Sequence, residues 1–371
     1  MRIREVEFIG LRAPLPSPAR FSWGTATSRN VGLVRVVTEE GLEGWGETSV
    51  TFPLWSLEER SLTVREGVRP LLVGQDWSKP EEVVAQLERA LMPLGHLWSM
   101  VAIRSAIAAV EVALWDIVGQ AAGKPLWELW GGRWSRVPLY AVGFTGDWQQ
   151  IARQAEQALG QGYTAVKIRV GFDEQADLSL VQTVREAIGP AGTLLVDANM
   201  AWRWEQARQM LEKLAPHGLG WLEEPLARDD VEGLAALQAL GLVPIAAGEN
   251  AYTVADGFAL VERRAVGIVM PDIARIGGVS AARIVVQAAR AAGIPYSPHQ
   301  YGSEIGFAVA LHLCATEPGC HSLLRDVSPW ELRSTFVESE PLVEAGHGLP
   351  PRAPGLGVRV NRAAAERFRV V

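Results

Sequence analysis

A strand-like segment recurs eight times after about residue 137, and this regular spacing is the feature that most limits the possible folds. The segment starts lie roughly 23 to 29 residues apart, and the sequences are VPLYAVG, AVKIRV, TLLVDAN, GWLEEP, PIAAGEN, GIVMPDIA, IPYSPHQ and HSLLRD. Amphipathic segments such as DWQQIARQAEQALGQG separate them. Parallel strands joined by helices at this spacing close into a barrel. The sequence therefore predicts an α/β fold with a (β/α)7β TIM-type barrel over residues 131–339.

An open, doubly wound sheet is the alternative arrangement of such units. Eight units fit a closed barrel better, and no GxGxxG motif follows a first strand. Residues 1–130 read differently, because alternating segments such as MRIREVEF come first and the helical pattern SAIAAVEVALWDIVGQAAG follows. We expect an α+β domain there. The Pro- and Gly-rich tail, residues 340–371, is expected to pack back on it.

Charge and composition limit the partners of the protein. The formal net charge of −7 argues against nucleic acid, whose binders usually carry a basic face. No run approaches 18 uninterrupted apolar residues, so we expect no membrane span. The two cysteines, Cys314 and Cys320, form neither a metal signature nor a disulfide framework. With no signal peptide evident at the start, these features favour a cytoplasmic protein.

Three carboxylates end three consecutive predicted strands: Asp197 in LLVDAN, Glu223 in WLEEP and Glu249 in IAAGEN. Any one of them alone is as well explained as a helix cap or a solvated loop residue. Together, at the C-terminal ends of neighbouring strands, they would converge and repel one another without a strong cation. All-oxygen ligands suit Mg²⁺, with Mn²⁺ as the alternative. Because side chains alternate along a strand, only one glutamate of the Glu223–Glu224 pair is expected to face inward.

Two cations precede these acids by one strand. Lys167 and Arg169 are two residues apart, so they are expected to share the inward face. A lysine beside another cation has a lowered pKa and could act as a base. Arginine stays protonated, which favours carboxylate binding for Arg169. The simpler interpretation is that both cations only pair with the acids.

An Asp–His pair is predicted on the opposite side of the barrel mouth. Asp272 ends the sixth strand and His299 ends the seventh. A carboxylate beside a histidine fixes its tautomer and raises its basicity. A metal, two cations and such a base together suit removal of the α-proton of a small carboxylate substrate, with the ene-diolate stabilised electrostatically.

These residues resemble the enolase superfamily, and within it the mandelate racemase subgroup. The resemblance covers nearly the whole chain and includes the stretch AAVEVALWDIVGQAAGKPLWELWGG, which is similar to the family's junction between capping domain and barrel. It implies that residues 1–130 cap the barrel. It also implies that the three strand-end acids are Mg²⁺ ligands and that His299 with Asp272 is the base pair.

The resemblance further places the substrate-covering loops at about 15–30 and 50–56. The substrate-binding candidates are Phe21, Trp23, Phe52 and Asn199. Two departures stand out. Arg169 replaces the second lysine of the family's motif, which disfavours a second base at that position, and Leu324 stands where the subgroup often has a glutamate on the eighth strand. Its neighbours Arg325 and Asp326 are candidates to replace that glutamate.

We therefore expect a Mg²⁺-dependent dehydratase that converts an acid sugar to a 2-keto-3-deoxy acid. The alternative is a racemase or epimerase of a 2-hydroxy or amino acid, with Lys167 and His299 acting on opposite faces. A third possibility is a metal-stabilised barrel that binds an acidic ligand without turnover. The resemblance also implies a homo-oligomer.

Overall fold

A computed structural model describes residues 1–22, 24–97, 99–339 and 342–371. The chain begins with an antiparallel meander of three strands, in which β2 pairs with both β1 and β3. The strands are β1 (Ile3–Phe21), β2 (Gly24–Thr38) and β3 (Glu43–Thr48). The helices that follow are α1 (Ser56–Leu62), a π-helical segment (Thr63–Val68), α2 (Arg69–Leu72), α3 (Pro80–Gly95), α4 (Met100–Ala122) and α5 (Leu126–Leu129).

Helix α4 is the central helix of this first region. Its N-terminus is capped by Ser99, whose side chain accepts a hydrogen bond from the Ala102 amide, and it ends at Gly123 in the left-handed conformation. Strand β3 lies directly against it, because a Cβ on Gly44 or Gly46 would come within about 2 Å of α4 backbone carbonyl oxygens. Two glycines in one strand therefore set the close packing of the sheet on the helix.

The second region is the predicted barrel. Its strands are β4 (Val137–Val142), β5 (Ala165–Arg169), β6 (Thr193–Asp197), β7 (Leu219–Glu223), β8 (Ile245–Ala247), β9 (Ile268–Val269) and β10 (Leu323–Asp326). Strands β4 to β9 pair in parallel in chain order, and β10 pairs in parallel with β4. In place of a seventh strand, Tyr296 and His299 form single parallel bridges with Val269 and Asp272. The predicted fold class is thus confirmed.

Helices connect the barrel strands: α6 (Trp148–Gly160), α7 (Glu174–Ile188), α8 (Trp204–Leu214), α9 (Val231–Ala239), α10 (Val254–Glu262), α11 (Ile273–Ile276), α12 (Val279–Ala291) and α13 (Glu304–Thr316). The chain ends with β11 (Val337–Ser339), β12 (Val343–Glu344), β13 (His347–Gly348), β14 (Val358–Val360) and α14 (Arg362–Glu366). Among the helices of the described ranges, none has the length and apolarity that crossing a membrane requires.

The barrel interior is filled by large side chains. Tyr140 and Trp221 meet edge to face with ring centroids 5.2 Å apart, and Leu195, Met270 and Leu324 pack around them. Such layers make a barrel interior a packed core. The space for a ligand therefore lies at the C-terminal ends of the strands.

The last residues return to the first strand. The Gly10 amide donates to the Val371 carbonyl and the Val370 amide donates to the Gly10 carbonyl, both at 2.8 Å. The Arg12 amide donates to the Phe368 carbonyl. The tail also reaches the barrel, because β13 pairs with β4. The division of the chain at residues 130 and 339 stays a prediction.

Two buried carboxylates join the first region to barrel helices. Glu47 on β3 accepts hydrogen bonds from the Ser303 amide and hydroxyl and from the Gly306 amide, at the start of α13. Glu111 on α4 accepts from the Ser280 amide at the start of α12, at 3.2 Å. Helix N-termini favour negative charge. Burial nevertheless raises the pKa of Glu111 to about 7, and the hydrogen bonds from Ser280 only partly oppose that shift.

The raised pKa of Glu111 predicts a pH-dependent stability. In the unfolded chain this carboxyl loses its proton near pH 4.5, and in the folded protein near pH 7. The folded state therefore binds more protons in that interval, so the free energy of unfolding falls as pH rises from about 4.5 to about 7, by up to about 3 kcal/mol. Glu111→Gln is expected to flatten the fall, measured by urea unfolding at several pH values.

Glu156→Gln is the matched control, because Glu156 is exposed on α6 and forms no ion pair within the described ranges. This variant should keep the wild-type pH dependence. An unchanged slope in Glu111→Gln would show that the buried carboxyl does not titrate as described.

Candidate active site

Strand register brings the predicted acids and cations together. In the register of the sheet, Asp197 on β6 lies opposite Arg169 on β5 and opposite Glu223 on β7. The C-terminal ends of these three strands are therefore at the same level. Lys167 is two residues before Arg169 on β5, and Glu249 follows the end of β8 by two residues. Lys167, Asp197, Glu223 and Glu249 are all at least nine-tenths buried. The expected convergence at the C-terminal face is therefore what the structure shows.

Lys167 lies between two of the carboxylates. Its Nζ is 2.5 Å from Glu223 Oε1 and 3.5 Å from Asp197 Oδ2. The other oxygen of Glu223 accepts a hydrogen bond from Trp221 Nε1 at 3.0 Å. Arg169 is farther away, with Nε 3.9 Å from Asp197 Oδ2. The lysine is thus the main positive charge on this side of the site.

The expectation of a lowered lysine pKa was wrong. Burial alone lowers the pKa of Lys167, but the negative charges of Glu223, Asp197 and Glu249 outweigh burial and raise it. The sequence placed Arg169 nearby but did not show that two acids lie closer. Burial also raises the pKa of Glu223 to about 8, helped by repulsion from Asp197 and Glu249. The acid cluster therefore binds positive charge strongly.

Glu249 and Glu224 are held by a second set of groups. Arg275 Nη1 donates to Glu249 Oε1 at 3.0 Å and to Asn250 Oδ1 at 3.1 Å. Asn250 Nδ2 in turn donates to Glu224 Oε2 at 2.6 Å. Glu224, whose φ is 38°, is thereby linked through Asn250 and Arg275 to Glu249. It takes no part in the Lys167 contacts, as the alternation argument predicted.

The predicted Asp–His pair is formed. His299 Nδ1 lies 2.7 Å from Asp272 Oδ2, and the other oxygen of Asp272 accepts a hydrogen bond from the Ala274 amide at 2.8 Å. A carboxylate at Nδ1 favours the tautomer with a proton there. The Nε2 atom lies 3.2 Å from Glu249 Oε2, so this histidine touches the acid cluster.

A cavity of about 580 Å³ opens above these groups. The predicted substrate-binding candidates Phe21, Phe52 and Asn199 line it, whereas Trp23 lies outside the described residues. The rings of Phe21 and Phe52 meet edge to face at 5.0 Å. Arg169 stacks over the Phe21 ring, with Cζ 4.1 Å from its centroid. The first region thus supplies one wall of the cavity.

The eighth strand contributes no carboxylate to this cavity. Leu324 lines it, whereas Arg325 is paired with Glu304 at 2.6 Å and Asp326 with Arg29 at 2.6 Å. Neither neighbour of Leu324 therefore replaces the missing glutamate, and that expectation was wrong. Both acid and base on β10 are committed to contacts away from the cavity.

Sequence reasoning missed two residues that contact or line the site, and a third, Glu47, that binds the start of the neighbouring helix α13. Arg275 follows Asp272 by one helical turn in the same motif, so its spacing was a usable signal. Tyr301 lines the cavity two residues after His299. Glu47, which caps α13, stands in the glycine-rich stretch EGWGET, and no sequence pattern connects it to the distant Ser303.

The chemistry of the donor set fits a divalent cation that prefers oxygen. The three acids are buried and close enough to raise the pKa of Glu223. In the described part of the chain, no three His, Cys, Asp or Glu side chains already stand grouped as a metal site. The reason is visible in the contacts, because Lys167 and Arg275 now hold Glu223 and Glu249. A bound cation would have to draw these side chains away from those contacts.

Fold and site together define a barrel enzyme whose acidic and basic groups meet at the C-terminal face under a capping region. The chain matches the model of the mandelate racemase / muconate lactonizing enzyme N-terminal domain over residues 4–131 and the enolase C-terminal domain-like model over residues 150–364. It therefore belongs to the mandelate racemase/muconate lactonizing enzyme group of the enolase superfamily, which confirms the resemblance seen in the sequence.

The relatives cover nearly the whole chain. D-galactarolactone cycloisomerase of Agrobacterium fabrum is 30% identical, and the match covers 91% of this chain and 91% of that protein. Arabinonate dehydratase of Saccharolobus solfataricus is 27% identical, and the match covers 90% of this chain and 89% of that protein. Other relatives are epimerases and racemases. A Streptomyces coelicolor racemase with bound magnesium superposes with a TM-score of 0.90, at 29% identity, covering 99% and 100%. The protein is thus an enzyme, and binding without turnover is set aside.

The buried Lys167–Glu223 pair predicts a large loss of stability when the lysine is removed. Lys167→Met leaves buried carboxylates without their nearest cation. The free energy of unfolding, measured in urea at pH 7 without divalent ions, should fall by about 3 kcal/mol or more. Lys167→Met combined with Glu223→Gln should recover part of that loss.

The control is the surface pair of Lys213 and Glu174, whose side chains are both more than a third exposed. Lys213→Met should change the free energy of unfolding by no more than about 1 kcal/mol. Equal effects of the two lysine substitutions would contradict the charge balance described here.

Proposed function

We propose that the enzyme dehydrates an acid sugar to a 2-keto-3-deoxy acid, with His299 as the base that removes the α-proton. The observation that carries this proposal is the His299–Asp272 pair at 2.7 Å, beside a cavity that also contains Lys167 and Arg169. A relative with this type of activity is the arabinonate dehydratase.

The cations suit binding of the substrate carboxylate. Lys167 and Arg169 both line the cavity on the side of β5, whereas His299 lines it from the end of the seventh strand. A carboxylate held by the cations would present its α-carbon to the histidine. A related structure from Bordetella bronchiseptica, with a TM-score of 0.89, is a complex with 2-oxoglutarate/phosphate, which supports a small carboxylate as the ligand class.

Asp197, Glu223 and Glu249 would hold a Mg²⁺ ion, with Mn²⁺ as the alternative. Their all-oxygen chemistry favours these hard cations. Magnesium is present in two solved structures similar to this chain. When bound, the ion supplies positive charge that stabilises the dianionic ene-diolate. Lys167 and Arg169 add to that stabilisation.

The proton transfers need only one base. Nε2 of His299 accepts the α-proton, while Asp272 stabilises the imidazolium through Nδ1. The hydroxyl on the β-carbon then leaves as water, taking the proton from Nε2. The resulting enol converts to the 2-keto acid, so that the substrate loses one water molecule in all. The same histidine therefore serves first as base and then as acid.

Racemisation or epimerisation is the second candidate, because several relatives have these activities. It needs a second base on the opposite face of the α-carbon. Arg169 cannot supply one, since arginine stays protonated. Lys167 is the remaining group that lines the cavity, but the acids around it raise its pKa, which disfavours it as that base. Exchange of the α-proton with deuterium from D₂O, without loss of water, would favour it. The homo-oligomer and the cytoplasmic location stay predictions.

Replacing His299→Asn should abolish dehydration. The amide cannot take up the α-proton, so kcat should fall about 1,000-fold or more. The measurement is 2-keto acid formation from a panel of mono- and diacid sugars with Mg²⁺, together with the wild type.

His96→Asn is the control, because His96 is exposed at the end of α3. This variant should retain full activity. Dehydration by His299→Asn at more than a tenth of the wild-type rate would refute the role of the histidine.

Removing one proposed ligand should weaken metal binding. Asp197→Asn loses a negative charge, so Mg²⁺ or Mn²⁺ should raise Tm less than in the wild type, and calorimetry should give a Kd at least about tenfold higher. Asp229→Asn, at an exposed loop position, should bind like the wild type. Equal Kd values for both variants would exclude Asp197 as a ligand.

A further inference from the structure

A second cavity of about 200 Å³ adjoins the first. It lies between the segment 15–20 of β1 and the residues 143–146 that follow β4. Both cavities are lined by Val142, Lys167, Arg169 and Tyr301, so the two spaces meet at these side chains. We refer to the smaller cavity as the side compartment.

The charges around the side compartment are of one sign. Its lining includes Arg20, Arg29, Lys167 and Arg169, and no Asp or Glu is among the described residues that line it. Lys167 and Arg169 are balanced from the main cavity by the acid cluster. Arg20 has no ion pair with any residue of the described ranges. Arg29 is balanced by Asp326, so the uncompensated positive charge of the compartment is that of Arg20.

Arg29 is fixed at the inner end. It is fully buried, its Nη1 lies 2.6 Å from Asp326 Oδ2, and its Nη2 donates to the Tyr301 carbonyl at 3.0 Å. The rings of Tyr301 and Trp330 stand on either side of it, each 3.8 Å from Cζ. Its Nε has no hydrogen-bond partner among the described residues. Asp326 balances the charge of this guanidinium, so Arg29 offers an anion its rigidly held Nε–H donor and not a free charge.

The walls of the side compartment strengthen the attraction between its arginines and an anion. Apolar side chains line it: Leu15, Phe144, Trp148, Ile151, Phe172 and Leu180. Arg20 lies over the Phe172 ring at the surface, with Cζ 5.1 Å from the centroid. Apolar walls lower the local dielectric, so an anion there interacts more strongly with the arginines than it would in water. Arg20 thus stands at the outer side and Arg29 at the inner side of one cationic space.

We propose that the side compartment binds a second carboxylate of the substrate, so that the enzyme acts on dicarboxylic acids. This inference deepens the proposed function and rests on it, because it takes the reacting carboxylate to lie beside His299 in the main cavity. The far carboxylate then passes Arg169 and Tyr301 and meets Arg20 and Arg29. A monocarboxylic acid would leave Arg20 facing only water.

Equilibrium binding tests the compartment without turnover. Adipate and hexanoate have six carbons each and differ in the second carboxylate, and neither has a β-hydroxyl to lose. Calorimetric titration in Mg²⁺ buffer should show adipate binding at least about tenfold more tightly than hexanoate. Arg20→Ala should remove most of this advantage while leaving hexanoate affinity within about twofold.

Arg153→Ala is the matched control, because Arg153 is an exposed arginine on α6 outside both cavities and forms no ion pair in the described part of the chain. This variant should keep the preference for adipate. Equal binding of the two acids, no adipate binding, or a preference that survives Arg20→Ala would overturn the proposal. A protein that prefers adipate through Arg20 yet dehydrates no acid sugar would refute the proposed function and leave the compartment as an anion site.

Discussion

The balance of charge at the ends of β5 to β8 is the constraint on which the rest of the site depends. Three acids are buried there, and a buried charge without a partner costs several kcal/mol. Lys167 pairs with Glu223, with Nζ 2.5 Å from Oε1, and Arg275 pairs with Glu249, with Nη1 3.0 Å from Oε1. Burial, together with repulsion from Asp197 and Glu249, still raises the pKa of Glu223. Such a cluster is stable only with cations around it, and it is therefore suited to binding a metal ion.

Buried carboxylates with hydrogen-bond or ion-pair partners also join the two regions of the chain. Glu47 and Glu111 are buried because the N-terminal amides of α13 and α12 satisfy their oxygens. Asp326 is buried because Arg29 crosses from β2 to meet it. These contacts place β1 and β2 over the open end of the barrel, so Phe21 and Arg20 reach the cavities. Docking of the cap and shaping of the substrate space thus depend on the same buried ion contacts.

Much of the fold and the chemical core of the site could be predicted, because both depend on short-range patterns. Spacing alone indicated eight strands, and parallel strands end on one face, so Asp197, Glu223 and Glu249 had to converge. The contact of Asp272 with His299 followed from the same argument. By contrast, Arg29 and Asp326 are 297 residues apart, and no periodicity connects them. The pKa of Lys167 was predicted wrongly, since two acids within 3.5 Å matter more than its neighbour in sequence.

The sequence by itself determined the barrel, the side on which its chemistry lies and the types of the reacting groups. These follow from strand period and strand direction, which are local properties of the chain. Only the tertiary structure decided which cation meets which acid, why Arg325 and Asp326 cannot replace the missing glutamate, and how Arg20 and Arg29 come to line one compartment. The physical reason is that electrostatic energy depends on distances in space and on burial, and neither is fixed until the cap has packed on the barrel.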